Sequence, residues 1–178
     1  MSDTSEQMPD NATDQPLVTF ALFAYNQEEY IREAVEGALA QTYKPLEIIL
    51  SDDCSSDRTF EIMQEMTEAY DGSHTILVRK NQSNMGLGGH INEVVKLVRS
   101  DWLVVAAGDD ISSSNRTEEL MSYISSLEPP PDLLHSAVIR ISEDGRFLGL
   151  EQSRFVETLS SIEKTIETDA YALGATVA

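Results

Sequence analysis

From residue 17 onward the chain alternates short apolar runs with segments whose apolar residues recur at helical spacing, and that alternation leaves few folds open. Leu17–Phe23 (LVTFALF), Leu46–Leu50 (LEIIL), Thr75–Val78 and Trp102–Ala107 (WLVVAA) read as strands. After the first run, Asn26 with Glu29 three residues on forms a capping box, and Ile31, Ala34, Val35, Ala38 and Leu39 supply one buried helix face. Ser55 or Ser56 is placed to cap a second helix carrying Phe60, Met63, Met66 and Tyr70. The glycine-rich stretch NMGLGGHIN leads to a third, with Ile91, Val94, Val95 and Val98 on one side. A fourth carries Leu120, Met121, Ile124 and Leu127 and stops at Pro129-Pro130-Pro131. Four strand-then-helix units in succession predict an α/β protein whose mostly parallel sheet is flanked by helices. Trp102–Ala107 is the most continuous run and is expected as a central strand covered on both faces.

The ends of the chain read differently. Residues 1–16 hold four acids, no Lys or Arg and almost no large apolar side chain, a composition expected to stay disordered. The single domain then runs over 17–178. Leu133–Ile141, a Glu143-Asp144-Gly145 turn and Phe147–Leu150 predict an antiparallel hairpin near 133–150, and Phe155, Leu159, Ile162 and Ile166 suggest one further helix.

Ligands on parallel sheets bind beyond the carboxyl ends of the strands, so the polar residues just after each strand matter most. They are Tyr25-Asn26, Asp52-Asp53, the Asn84–Asn92 loop and Asp109-Asp110, all expected on one edge. Acidic pairs by themselves carry little weight: 31 acids in 178 residues produce about five adjacent pairs by chance, and about that many occur. Asp52-Asp53 and Asp109-Asp110 differ in ending an apolar strand. They either serve a ligand or cap the helices that follow, and position alone leaves these readings balanced. Gly108 allows a sharp turn before Asp109-Asp110, whose carboxylates suit Mg²⁺ or Mn²⁺, hard cations that keep coordination positions open for a diphosphate. Asp53 suits an N–H from a base, and Tyr25 offers a stacking face.

Charge narrows the partners. Twelve Lys+Arg against 31 Asp+Glu leave a net charge of −19, which argues against a nucleic-acid surface, although a metal can neutralise one anionic ligand locally. No run approaches a transmembrane helix and no signal peptide is visible, so a cytoplasmic protein is expected. The single cysteine, Cys54, rules out an internal disulfide. The sequons at Asn11, Asn81 and Asn115 read as chance. His74, His90 and His135 lie on different elements and predict no metal cluster; His90 reads as solvent-facing or helix-starting. Met63, Met66 and Trp102 read as packing.

Four ordered pieces over about residues 17–150 resemble the family 2 glycosyltransferases, nucleotide-sugar-dependent enzymes of the GT-A (Rossmann-like) fold. FALFAYNQEEYIREAVEGALAQTY looks like the family's opening strand and helix, EIILSDDCSSDRT like its second strand with the Asp-Asp-x-Ser-x-Asp-x-Thr ending, NMGLGGHIN like its Asn-x-Gly loop, and VVAAGDD like the strand leading to its metal-binding acids. The resemblance implies nucleotide binding by Tyr25, Asp53 and Asp109: Asp53 on the base, Tyr25 packing nearby, Asp109 against the ribose. Asp110 would ligate the Mg²⁺ or Mn²⁺ that bridges the donor's diphosphate. Asn26 keeps its expected capping role. The implied reaction is inverting transfer from a nucleoside-diphosphate sugar, UDP- or dTDP-linked, to a hydroxyl of a glycan, lipid-linked or protein acceptor in polysaccharide or glycan biosynthesis. Peripheral membrane association of a full-length protein stays open.

Two positions depart from the pattern: Phe23 is often small or polar in the family, and Ile91 stands where many members carry Arg. The chain also ends at YALGATVA, whereas the family's general base is an acid just beyond a comparable Gly-Ala segment. No catalytic base is therefore expected in this chain; it is expected beyond Ala178. The alternative is a non-catalytic nucleotide-sugar-binding or interaction module of the same fold. A nucleotidyltransferase would need a Gly- and Arg-bearing loop where AYNQEEY stands, a dinucleotide oxidoreductase a third glycine after GLGG, and a phosphoacceptor receiver its acidic pair after strand one.

Overall fold

The computed structural model describes residues 15–151 apart from 135, 137, 143 and 144. Most of the acidic tail, His135 and the helix expected over Phe155–Ile166 lie outside the described residues. Within them the order is β1 (Val18–Ala24), α1 (Ile31–Leu39), β2 (Leu46–Asp52), α2 (Thr59–Glu68), β3 (Thr75–Lys80), α3 (Gly86–Val95), β4 (Trp102–Ala107), α4 (Arg116–Ser125), β5 (Val138–Ile141) and β6 (Phe147–Glu151). The first four strands pair in parallel in the order β3-β2-β1-β4, and β5-β6 form a separate antiparallel pair. The expected mostly parallel sheet with its hairpin is what the chain folds into.

Strand alternation sorts the core onto the two faces of the sheet. Val18, Phe20, Leu22 and Ala24 of β1 face one side with Ile31 and Val35 of α1, Ile62 and Met63 of α2, and Met121 and Ile124 of α4. Ala21 and Phe23 face the other with Ile49 and Val94, the buried apolar residue of α3. Burying side chains of this size stabilises a fold by about 1.5–3 kcal/mol each. All residues of β1 and β2 are buried, the pattern of parallel strands covered on both faces.

Those two strands, and not β4, are the central ones. Among the described residues β4 lies at an edge, and Trp102, Leu103, Val105 and Ala107 are only half-buried. The continuity of an apolar run therefore fixes neither its place in the sheet nor how completely it is covered. After β3 the chain returns across β1 to place β4 on its far side, and α3 crosses the opposite face. The direction of winding thus reverses between β1 and β4. Such a switch point opens the crevice in which open α/β sheets bind ligands.

The helix starts differ from the spacing-based expectation. α1 begins at Ile31 and α2 at Thr59, each without a side-chain cap. The capping roles expected of Asn26 and of Ser55 or Ser56 do not form, because all three are drawn into contacts between the two loops. α3 begins inside the glycine stretch at Gly86, and Val95 is half exposed at 49%. The glycines are helix, not loop. On the hairpin Ile139, Phe147, Leu148 and Leu150 are exposed.

Candidate functional site

Register places the site. Ala24 pairs with Asp52 and Asp52 with Lys80, while Phe23 pairs with Ala107. The next residues, Tyr25, Asp53, Asn81 and Gly108, therefore leave the sheet in one row. Backbone bonds hold that row together: Asp53 N–H donates to Ala24 O at 2.9 Å, Asn81 N–H to Asp52 O at 2.8 Å, and Gly108 N–H to Phe23 O at 2.8 Å. The four segments singled out by sequence do meet at one edge.

The loops after β1 and β2 are stitched to each other. Asn26 adopts φ 51 and Cys54 φ 66, left-handed conformations that let the chain turn sharply. Asn26 N–H donates to Ser55 Oγ at 2.8 Å, and its Oδ1 accepts from Ser56 N–H at 2.8 Å. Glu28 N–H donates to Asp57 Oδ2 at 3.0 Å and Arg58 N–H returns the bond to Glu28 Oε2 at 2.9 Å. Asp57 also accepts from Thr59, and these bonds to its ionised form hold its carboxyl below the usual range against the opposing effect of burial. Each loop satisfies the other's backbone donors, as helix caps do elsewhere.

The neighbouring acids after β2 do different work. Asp52 is fully buried; it accepts from Ser55 N–H at 2.8 Å and from Ser55 Oγ, and lies 3.8 Å from Lys80 Nζ. It is a structural staple. Asp53 is buried as well, but its carboxylate points toward the start of α3, where Met85 N–H reaches Oδ1 at 3.0 Å and Oδ2 at 3.1 Å. Asn81 Nδ2 donates to Oδ1 at 2.6 Å. Behind this pair stands His90, buried rather than solvent-facing, with Nε2 2.6 Å from Ser51 Oγ and its ring edge-on to Phe23. Burial holds the His90 imidazole below its ordinary pKa.

Asp109 and Asp110 follow the turn at Gly108. A Cβ on Gly108 would lie 2.5 Å from Gln27 Oε1 and 2.9 Å from Ala24 Cβ, so only glycine brings the acids this close to β1. Asp109 is exposed, Asp110 half-buried, and neither side chain has a hydrogen bond or ion pair among the described residues. Burial, reinforced by the charge of Asp109, pushes the Asp110 carboxyl up to about 6, and Arg116 opposes this. Arg116 is itself engaged with Ser112 Oγ and Val105 O, both at 3.0 Å. An acid pair of hard oxygen donors with no hydrogen-bond partner among the described residues fits a divalent cation. Among the described residues no cluster of three metal-ligating side chains exists, so the pair suits a cation such as Mg²⁺ that completes its shell with waters and phosphate oxygens. Tyr25, at the same edge, is 46% exposed.

Two features of the site were invisible to spacing. Arg79 and Asn81 belong to it, yet Asn81 stood out only as a sequon. Its position immediately after β3, matching Asp53 after β2, was the available signal. A cleft of about 570 Å³ at the opposite end of the strands, lined partly by Glu47, His74 and Arg99, holds no comparable group. There Arg99 pairs with Glu47, and His74 Nε2 bonds Gln41 O at 2.8 Å.

Comparison with known proteins agrees with this fold. The description "Glycosyl transferase family 2" matches residues 19–172. A Methanocaldococcus jannaschii protein named as a glycosyltransferase is 31% identical over 137 residues, covering 76% of this chain and 46% of its own. EpsE of Bacillus subtilis, also named as a glycosyltransferase, is 31% identical over 109 residues, 61% of this chain and 38% of its own. The chain thus spans less than half the length of these relatives. Among solved structures, S. aureus TarS 1-349 aligns with TM-score 0.56 at 22% identity, over 79% of this chain and 40% of that one. The mannosyltransferase PcManGT of Pyrobaculum calidifontis, in complex with GDP-Man and Mn²⁺, aligns with TM-score 0.52 at 21% identity, over 56% and 29%.

Proposed function

The chain belongs to glycosyl transferase family 2, and we propose that it forms the donor-binding half of an inverting, metal-dependent glycosyltransferase using a UDP- or dTDP-linked sugar. One observation carries this reading: a buried, anchored carboxylate, Asp53, and an acid pair without hydrogen-bond partners among the described residues, Asp109-Asp110, share one sheet edge across the switch point. That TarS has been solved with UDP-GlcNAc supports the class of donor, as PcManGT with GDP-Man and Mn²⁺ supports the class of cofactor.

In this reading Tyr25 stacks on the base and Asp53 accepts a base N–H. Asp109 accepts from the ribose hydroxyls. Asp110 would hold Mg²⁺ or Mn²⁺, which as a Lewis acid would stabilise the departing nucleoside diphosphate. The rigid strand ends keep these groups oriented before the donor arrives, so little reorganisation accompanies the reaction. The acceptor hydroxyl then attacks the anomeric carbon in a single displacement, the nucleoside diphosphate leaves, and a general base takes the hydroxyl proton. The acceptor is a glycan, lipid-linked or protein hydroxyl, in polysaccharide or glycan biosynthesis. Among the described residues no helix is long and apolar enough to cross a membrane.

Calorimetric titration of UDP and dTDP with Mn²⁺ or EDTA, into the wild type and Asp110→Ala, tests the site. Saturable binding that needs both the metal and Asp110 is expected. Absence of binding in the folded wild-type chain would refute it.

A further inference from the structure

Resting on the reading of Asp53 as the residue that meets the base, we propose that Asn81, anchored by Arg79, is a positioning residue that makes the site select uracil or thymine over guanine. Asn81 is buried beside Asp53, and its Nδ2 donates to Asp53 Oδ1 at 2.6 Å. Its own Oδ1 accepts from the Arg79 guanidinium, which also donates to Ser51 Oγ at 2.7 Å. A guanidinium only donates and a carboxylate only accepts, so the amide between them has one orientation that satisfies both. The Arg79–Asn81 pair thereby locks the direction in which Asp53 faces.

The count of acceptor sites then sets the specificity. A carboxylate offers about four lone-pair sites. Asn81 and Met85 N–H fill both sites on Asp53 Oδ1, and the same N–H takes one on Oδ2. One acceptor remains. Uracil and thymine present a single imino N–H and match it. Guanine presents two N–H groups side by side and calls for two parallel acceptors, one of which is already occupied. Asn81 need not touch the nucleotide to act; it removes an oxygen from the set that can.

The test titrates UDP, dTDP and GDP, each with Mn²⁺, into the full chain and into Asn81→Ala, Arg79→Gln and Asp53→Ala. The wild type is expected to prefer UDP or dTDP over GDP by about tenfold, the equivalent of one charge-assisted hydrogen bond. Asn81→Ala frees the second oxygen and reduces that ratio about fivefold; Arg79→Gln reduces it less, in the same direction; Asp53→Ala abolishes it. A merely structural role for Asn81 would weaken all three nucleotides by one common factor, and that result overturns the proposal. A wild type that prefers GDP also overturns it, while the donor site stands. If the folded wild type binds none of the three, the donor-site reading falls and takes this proposal with it. Should Asn81→Ala not fold, the ratio measured for Arg79→Gln decides.

Discussion

Gly108 lies against Gln27 so closely that a Cβ on the glycine would come within 2.5 Å of Gln27 Oε1. Gln27 Oε1 also accepts from Tyr25 N–H at 3.3 Å, so one side chain spans the turn after β1 and the turn after β4. The two turns are thereby packed against each other beside the β1–β4 backbone bond from Gly108 N–H to Phe23 O.

Gly108→Ala should destabilise the chain by about 1–3 kcal/mol, the usual range for overpacking. Urea unfolding is expected to show a lower midpoint with an unchanged slope. Adding Gln27→Ala should recover part of the loss, since Gln27 can be trimmed, but not all of it, because Ala24 Cβ would still lie 2.9 Å away. Additive losses in the double mutant would refute the contact.

Asp110→Asn should stabilise the metal-free protein at neutral pH while abolishing metal-dependent nucleotide binding. In the fold the Asp110 carboxyl is pushed up to about 6, from 3.8, so the folded state binds more protons than the unfolded state between those values. Stability of the wild type therefore drops as pH rises through this window relative to Asp110→Asn. The gain should be absent below the unfolded value and complete above about 6, reaching about 1–3 kcal/mol after solvent screening is allowed for. Urea titrations in EDTA across that range would show it; a pH-independent difference would contradict it.

His90 should be less protonated than a free imidazole at the same pH. Its folded pKa is held down by burial, so the unfolded chain takes up the proton first as pH falls. The linked stability is present at neutral pH and is lost as pH drops from about 6.5 toward the folded value. With Ser51 Oγ accepting from Arg79, the arrangement in which its one proton goes to His90 Nε2 uses both groups fully and places the imidazole proton on Nδ1. Nitrogen-detected NMR of the ring should find that tautomer.

The adjacent acids after β2 should separate cleanly. Asp52→Asn weakens the buried bonds to Ser55 and is expected to lower stability by about 1–3 kcal/mol with little effect on nucleotide affinity. Asp53→Asn can keep an acceptor toward Asn81 and Met85 but turns an amide donor toward the base. It should lose UDP binding while unfolding at nearly the wild-type midpoint. Equal effects on both measurements for both variants would show that the two acids share one role.

Much of this site was legible before any coordinates. Tyr25, Asp53, Asp109 and Asp110 each follow an apolar run at a place where a parallel sheet exposes its loop edge, and the structure brings their segments together there. The misplaced features share a cause. Asn26 and Ser55 carry helix-capping chemistry, but their partners lie 29 residues apart in the chain, and the two loops satisfy each other instead of their own helices. His90 reads as solvent-facing or helix-starting from sequence, and its burial is not legible there because its partner Ser51 is 39 residues away, on β2.

Local periodicity determined the elements themselves. Alternation at a spacing of two or of 3.6 residues is written in any short window, and it marked β1 to β4 and the helices between them. Strand order, the edge position of β4, the depth of Asp52 against that of Asp110, and the Arg79–Asn81–Asp53 chain were decided only in three dimensions. Each of these depends on which distant segment arrives beside a residue, and so on desolvation and hydrogen-bond supply that no local window contains. The residue types set what chemistry was available; their neighbours across the sheet set which oxygen was left free to use it.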